Sequence, residues 1–96
     1  MKMDVNLSAS MMCADFKNLE REVRLLEEGG INSFHIDIMD GQFVPNFCMG
    51  IQDLKTIRSL TKKPVEVHLM IKRPLSYLKV FIDSGADVIY THPEAD

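Results

Sequence analysis

Four short apolar segments alternate with three segments of helical periodicity, and this alternation constrains the fold more than any other feature of the sequence. The predicted strands are VNLSASMM (5–12), SFHIDIM (33–39), PVEVHLMI (64–71) and DVIYTH (87–92). Strands that alternate with helices are typical of a parallel sheet with helices packed outside it. The pattern therefore predicts an α/β fold, either an open doubly wound sheet or part of a (β/α)8 barrel.

The turn after the first predicted strand helps to separate these two folds. A dinucleotide-binding sheet carries a glycine-rich turn there, because the backbone must approach a pyrophosphate closely. The sequence at this place is SMMCADF (10–16), which contains no glycine. This favours the (β/α)8 barrel.

The three predicted helices have recognisable starts and stops. Asp15 is a predicted N-cap, Gly29-Gly30 ends the first helix, and Gly85 follows a third helix that begins near Pro74. Apolar residues at helical spacing are expected to face the sheet. They are Phe16, Leu19, Val23 and Leu26, then Ile51, Leu54 and Ile57, and finally Leu75, Leu78 and Ile82.

Composition argues against two classes of partner. The 96 residues have a net charge of −3, so no basic surface for nucleic acid is expected. No apolar stretch is long enough to span a bilayer, and Asp4 interrupts the place where a signal peptide would have its apolar core. Cys13 and Cys48 fit no CxxC or metal-finger spacing, which predicts reduced thiols and a cytoplasmic protein.

Polar side chains on the predicted strands are the main indication of function. Because side chains alternate along a strand, residues two apart share a face. The residues that share one face are Ser8, Ser10 and Met12; His35, Asp37 and Met39; Glu66, His68 and Met70; and Val88, Tyr90 and His92. Active sites of both α/β folds lie at the carboxyl ends of the strands, so the polar residues nearest those ends are expected to meet there.

His35, Asp37 and His68 predict a site for one divalent metal ion. Imidazole and carboxylate suit Zn²⁺ first, and also Fe²⁺, Mn²⁺ or Co²⁺, better than Ca²⁺. A single histidine on a strand is more often a packing residue, but two histidines and an aspartate on neighbouring strands favour a site. Met39 and Met70 are expected to fill the core, because thioethers prefer softer metals.

Three other polar residues leave alternatives open. Glu66 lies deeper on its strand and is a candidate structural partner in a barrel floor. His92 could belong to the site or only end its strand. Ser10 could bond a substrate oxygen or the backbone at the end of its strand.

A family resemblance rests on four segments. These are SASMMCADF (8–16), HIDIMDGQFVPN (35–46), VHLMI (67–71) and GADVIYTHPEA (85–95). Together they resemble the ribulose-phosphate 3-epimerase family over nearly the whole chain, and the second segment is highly specific. The resemblance implies a (β/α)8 barrel that epimerises a ketose phosphate at C3 with one divalent metal.

The resemblance also implies roles for individual residues. His35, Asp37 and His68 match three of four metal ligands, and Asp37 matches one of two catalytic acid/base residues. The loop Gly41–Asn46 matches a segment that lies over the site. Residues that match substrate contacts are Ser10, His68, Met39 and Met70.

Departures from the family pattern are modest. Ala9 stands where proline is common, Gln42 where histidine is common, and Cys48 and Ile51 replace the usual threonine and proline. Three short segments resemble the allulose-6-phosphate 3-epimerase branch of the family more than the other members. These are MMC (11–13), KRPLSYL (72–78) and HPE (92–94).

The predicted strands make up only half of such a barrel. A complete (β/α)8 barrel takes roughly 250 residues and eight strands, whereas four strands are predicted here. We therefore expect residues 1–96 to form the N-terminal half of a ribulose-phosphate-binding barrel. By the resemblance, the fourth metal ligand, which is also the second acid, and the phosphate site would lie outside these residues.

The predicted function is that of an isomerase, a metal-dependent ketose-phosphate 3-epimerase. It would convert ribulose 5-phosphate to xylulose 5-phosphate, or allulose 6-phosphate to fructose 6-phosphate, by removing the C3 proton to give an enediolate. The alternative is a metal-binding half-barrel without epimerase activity of its own. Exposed edges of the first and fourth strands predict a homo-oligomer, for example a twofold pair of half-barrels.

Overall fold

The computed structural model describes residues 5–96 and confirms the predicted alternation of strands and helices. The strands are β1 (Ser8–Ser10), β2 (Ser33–Asp40), β3 (Phe47–Cys48), β4 (Val65–Met70) and β5 (Val88–Tyr90). The α-helices are α1 (Leu19–Glu28), α2 (Ile51–Leu60) and α3 (Leu78–Asp83). Short 3-10 turns span Met11–Cys13, Phe16–Asn18, Pro74–Tyr77 and Pro93–Ala95.

The sheet has the strand order expected for consecutive βα units of a barrel. β1, β2, β4 and β5 pair in parallel in that order, without the reversal that characterises a doubly wound sheet. β3 pairs antiparallel with the end of β2, joining Asp40 to Phe47 and Met39 to Cys48. β3 is not among the strands predicted from the sequence, because a segment of two residues is too short to show a period of two.

One face of the sheet and the helices that cover it form the core. Phe34, Ile36, Val65, Val67 and Leu69 are fully buried on this face. Helical residues that pack against them include Val23, Leu54, Ile57 and Phe81. Burial of a side chain of this size contributes about 1.5–3 kcal/mol, so these contacts hold the opposite, polar face in place.

Three predictions near the first helix need correction. β1 is shorter than the predicted strand 5–12, since Met11–Cys13 form a 3-10 turn, and Met12 therefore leaves the face shared by Ser8 and Ser10. Asp15 is a cap, but of the 3-10 turn, where its carboxylate accepts a bond from the Lys17 amide at 3.1 Å. The α-helix begins later, so Phe16 is out of phase with it and is 48% exposed.

The predicted inward face of the third helix is correct only for Leu78, which packs against the core. Leu75 and Ile82 are 60% and 57% exposed, whereas Phe81 is 4% exposed. The segment opens with the 3-10 turn Pro74–Tyr77, which has three residues per turn, and only Leu78–Asp83 are α-helical. The change from 3 to 3.6 residues per turn displaces the apolar face of the segment by about one residue, so Phe81 rather than Ile82 is buried. None of the helices in residues 5–96 is long and apolar enough to cross a membrane.

Arg58 and Asp87 connect the end of α2 to the start of β5. The Asp87 carboxylate accepts bonds from the Val65 amide at 2.9 Å and from Arg58 Nη1 at 2.6 Å. Arg58 Nη2 also donates to the carbonyl oxygens of Thr61 and Lys63. The Val65 amide, together with the Arg58 guanidinium, holds the pKa of Asp87 below its ordinary value of 3.8.

Replacing Asp87 with asparagine should destabilise the chain at neutral pH. Because the pKa of Asp87 is lowered by folding, its ionised form stabilises the fold above pH 3.8, and this stabilisation is lost as the pH falls below that value. The side chain is 50% exposed, so we expect only about 1 kcal/mol at pH 7. Urea unfolding at pH 7 and near pH 3 should show that the difference from the native chain shrinks in acid.

Asp83→Asn is the matched control, because Asp83 pairs with Lys79 on the exposed surface of α3. Asp83→Asn should lower the free energy of unfolding by less than Asp87→Asn does at both pH values. A loss in Asp87→Asn that is equally large near pH 3 would show that the carboxylate charge is not what stabilises this corner.

Candidate functional site

The predicted site residues meet at the carboxyl ends of the parallel strands, on the face opposite the core. Asp37 on β2 is the register partner of His68 on β4, and Ser10 on β1 is the partner of His35. His92 follows β5 and reaches the same place. The period of two and the parallel register together bring these five side chains into one cluster, including His92, whose place the sequence left open.

Asp37 is the centre of this cluster. Its Oδ1 lies 3.2 Å from His35 Nε2 and 3.3 Å from His68 Nδ1. The three residues offer ligand atoms that all lie within 4.8 Å of one another. Two imidazole nitrogens and a carboxylate oxygen are the donor set of many catalytic zinc sites, which keep a further position open for substrate or water. The residues therefore fit a divalent metal.

Ser10 contacts the other oxygen of the same carboxylate. Its hydroxyl donates to Asp37 Oδ2 at 2.9 Å. Neither alternative from the sequence describes this contact, because the hydroxyl bonds a side chain of the site rather than the backbone. Ser10 thus fixes the rotation of the carboxylate while Oδ1 faces the two imidazoles.

Glu66 is a structural partner of His35, in agreement with one of the alternatives left open by the sequence. Its Oε1 accepts bonds from the Ser8 hydroxyl at 3.0 Å and from His35 Nδ1 at 3.1 Å, and its Oε2 lies 3.4 Å from the Ser33 hydroxyl. Burial alone would raise the pKa of Glu66, but the His35 and serine bonds outweigh it and lower this pKa. The ionised carboxylate holds a proton on His35 Nδ1, which leaves Nε2 free as a metal ligand.

Tyr90 and His92 line the open side of the cluster. Together with His35, Glu66, His68 and Thr91 they border a cleft of about 410 Å³. The Tyr90 ring lies 6.2 Å from the His35 ring. Sequence reasoning placed Tyr90 on the correct face of its strand but not in the site. Its position two residues before His92 was the signal that could have identified it.

Met39 and Met70 lie beyond the metal group, towards the carboxyl ends of their strands. They are register partners, one pair beyond Asp37 and His68, and both are half-buried. Their role as substrate contacts remains a prediction.

The loop after β2 is anchored beside the cluster by Asp40. The Asp40 carboxylate accepts bonds from the backbone amides of Lys72 at 2.8 Å, and of Gln42 and Phe43 at 2.9 Å each. These amides, that of Lys72 above all, lower the pKa of Asp40. Phe43 thereby packs on His92, with ring centroids 5.3 Å apart.

Gly41 gives this loop its tight turn. Its φ is +73°, and a Cβ atom built there would lie 2.3 Å from the Phe47 ring. Only glycine satisfies both the positive φ and the close approach of the ring. The Asp40-Gly41 turn predicted from the sequence is therefore also the place where β3 returns along β2.

Comparison with known proteins agrees with this geometry. The profile of the Ribulose-phosphate 3 epimerase family matches residues 6–96. The ribulose-phosphate 3-epimerase of Bacillus subtilis is 41% identical over 91 residues, which are 95% of this chain and 42% of that protein. The enzyme of the same name from Synechocystis is 42% identical over 94 residues, or 98% of this chain and 41% of that protein.

An archaeal relative shows the same pattern. The ribulose-phosphate 3-epimerase of Methanocaldococcus jannaschii is 43% identical over 91 residues, which are 95% of this chain and 38% of that protein. The chain thus spans about two fifths of the length of these curated relatives. On the evidence of the family profile, the parallel strand order and the His-Asp-His cluster, this chain belongs to the ribulose-phosphate 3-epimerase family.

Proposed function

We propose that this chain provides the metal-binding and proton-abstracting residues of a ketose-phosphate 3-epimerase. The observation that carries the proposal is the convergence of His35 Nε2 and His68 Nδ1 on Asp37 Oδ1 at the carboxyl end of the sheet. The names of the relatives support a sugar phosphate, ribulose 5-phosphate, as substrate. The segments MMC, KRPLSYL and HPE support allulose 6-phosphate as the other candidate.

A divalent metal held by His35, Asp37 and His68 would supply electrostatic stabilisation for the negative charge that develops on the substrate oxygens. Zn²⁺ is the first expectation, and Fe²⁺, Mn²⁺ and Co²⁺ share its preference for these donors. The hydrogen bond from His35 Nδ1 to Glu66 supports this proposal, because metal-binding histidines usually donate their second N–H to such a partner.

Asp37 is the proposed base. Its Oδ1 faces the two imidazoles, and its Oδ2 lies on the other side of the carboxylate, where Ser10 makes the only hydrogen bond that residues 5–96 offer it. The C3 proton of the substrate is acidic because it is adjacent to the C2 carbonyl. Transfer of this proton to Oδ2 leaves the electron pair in the enediolate, and the Ser10 hydroxyl can turn its bond to a substrate oxygen.

Met39 and Met70 would form an apolar wall beside the reacting carbons. An apolar wall excludes water, which strengthens the electrostatic interactions of the charged groups nearby and protects the enediolate. The half-buried position of both methionines, directly beyond Asp37 and His68 in the register, supports this role.

A metal-binding module without complete turnover is the second candidate, and one observation favours it. Inversion at C3 needs an acid on the opposite face of the enediolate. Within residues 5–96, Asp37 is the carboxylate of the metal group, and Glu66 lies behind His35, occupied by its own hydrogen bonds. We therefore expect these residues to support proton removal better than inversion.

The homo-oligomer and the cytoplasmic location remain predictions. In the described part of the chain, β1 and β5 each pair on one side only. Unpaired strand edges favour association with a further strand.

The chain should bind a Zn²⁺ ion, and His35→Ala should weaken this binding by more than about a hundredfold. Loss of an outer partner of a ligand costs about 10–100-fold, and loss of a ligand itself should cost more. Competition with a chromophoric zinc chelator measures the dissociation constant. The double variant Cys13→Ser/Cys48→Ser is the control, because both thiols are free and could bind zinc on their own.

The metal-site proposal requires that the cysteine variant keep its zinc affinity and the histidine variant lose it. Loss of zinc affinity in the cysteine variant, together with native affinity in His35→Ala, would show that the thiols bind the zinc. Equal affinity in His35→Ala and the native chain would likewise contradict the proposed ligand set.

In D₂O with Zn²⁺ or Mn²⁺, the chain should incorporate deuterium at C3 of ribulose 5-phosphate or allulose 6-phosphate faster than it forms the epimer. Exchange needs one base, whereas inversion needs a second acid. Asp37→Asn should lower the exchange rate by about 10²–10⁴-fold, as followed by proton NMR of the substrate. Ser10→Ala tests the supporting residue and should keep measurable exchange.

Unchanged exchange in Asp37→Asn would exclude this residue as the base. Rapid inversion that keeps pace with exchange would show that residues 5–96 provide both acids, contrary to the second candidate.

A further inference from the structure

His92 makes a contact that the candidate metal group does not require. Its Nε2 lies 2.7 Å from Nε2 of His68, and the two rings are 4.9 Å apart between centroids. At this distance one nitrogen must carry a proton and the other must offer a lone pair. One histidine is therefore the hydrogen-bond donor and the other the acceptor, and the surrounding residues determine which is which.

The other nitrogen of His68 determines which ring donates. His68 is a member of the candidate metal group, and its Nδ1 faces the group's carboxylate, 3.3 Å from Asp37 Oδ1. With a metal at Nδ1, this nitrogen would bind through its lone pair, so the proton of neutral His68 would be on Nε2. His68 Nε2–H then donates to His92 Nε2, and His92 carries its own proton on Nδ1.

Neighbours on two sides hold the His92 ring in the accepting orientation. The Phe43 ring packs against it with centroids 5.3 Å apart, and Pro93–Ala95 form a 3-10 turn directly after it. Glu94 lies 3.6 Å from His92 Nδ1, which is too long for a hydrogen bond. Packing against Phe43 therefore fixes the ring, and Glu94, although within ion-pair distance, adds no hydrogen bond to it.

We infer that His92 is a positioning residue that fixes the tautomer and orientation of His68, so that Nδ1 rather than Nε2 faces the metal. This inference rests on the proposed metal site. His92 would thus act on His68 as Glu66 acts on His35. Glu66 bonds Nδ1 of His35 and leaves Nε2 free, whereas His92 bonds Nε2 of His68 and leaves Nδ1 free. The two metal-binding histidines would thus use different ring nitrogens, each selected by its own outer partner.

The test compares three variants of the chain with Zn²⁺ alone as the probe. His92→Leu keeps the apolar contact with Phe43 but removes the acceptor, and should weaken zinc binding by about 10–100-fold. His92→Gln keeps an acceptor oxygen near the position of Nε2 and should restore most of the affinity. Glu94→Gln is the matched control next to the site and should change nothing, because Glu94 makes no hydrogen bond to His92.

The tautomer of His68 is measured separately, by long-range ¹H–¹⁵N NMR of the imidazoles in the native chain. With zinc bound, His68 should show its proton on Nε2 and its metal-shifted nitrogen at Nδ1. A proton on Nδ1, or a zinc-shifted nitrogen in His92, would overturn the inference even if the leucine variant failed to fold.

The binding data distinguish this inference from the metal site on which it rests. Native affinity in a folded His92→Leu variant overturns the inference but leaves the metal site standing. Absence of zinc binding in the native chain overturns the metal site itself. Weakening in His92→Leu with recovery in His92→Gln supports both.

Discussion

The parallel pairing of β2 with β4 is the interaction on which the rest of the structure depends. Its register runs from the pair of Phe34 with Val65 to the pair of Met39 with Met70. Because side chains alternate, this register directs apolar residues to the helices and places His35 beside Glu66, and Asp37 beside His68. A slip of one residue would bury these ionisable groups under the helices, at a cost of several kcal/mol each. The apolar core therefore specifies the polar cluster as strictly as it specifies the fold.

Hydrogen bonds to neighbouring side chains fix the rotamers of the polar residues in the cluster. Ser8 and Ser33 hold Glu66, Glu66 holds His35, and Ser10 holds Asp37. Within the described residues, no buried side-chain nitrogen or oxygen lacks a hydrogen-bond partner. A network satisfied in this way is rigid, and it directs two imidazoles and a carboxylate at one point. Such preorganisation is what a metal site needs, because the ligands need not reorganise when the ion arrives.

Most of this arrangement could be predicted from short-range patterns. The alternation of strands and helices, the shared face of His35 and Asp37, and the convergence with His68 follow from periods of 2 and 3.6 residues. The fully buried residues of α2, Leu54 and Ile57, were also predicted correctly. The errors share a cause: Phe16 and Leu75 lie in 3-10 turns, and Ile82 lies in the short α-helix that follows one, so the change of period leaves each of them exposed.

The sequence by itself determined the fold class, the candidate ligands and the family, because these depend on periodicity and on the contiguous segment HIDIMDGQFVPN. The tertiary structure alone decided the partner of each polar group. These contacts are the bond from Ser10 to Asp37 Oδ2, the bond from His35 Nδ1 to Glu66, and the contact between Nε2 of His92 and Nε2 of His68. Each of them joins residues that are 24 to 31 positions apart in the chain. Contacts of this kind depend on strand register and on the direction in which each ring turns, and neither leaves a periodic signal in the chain.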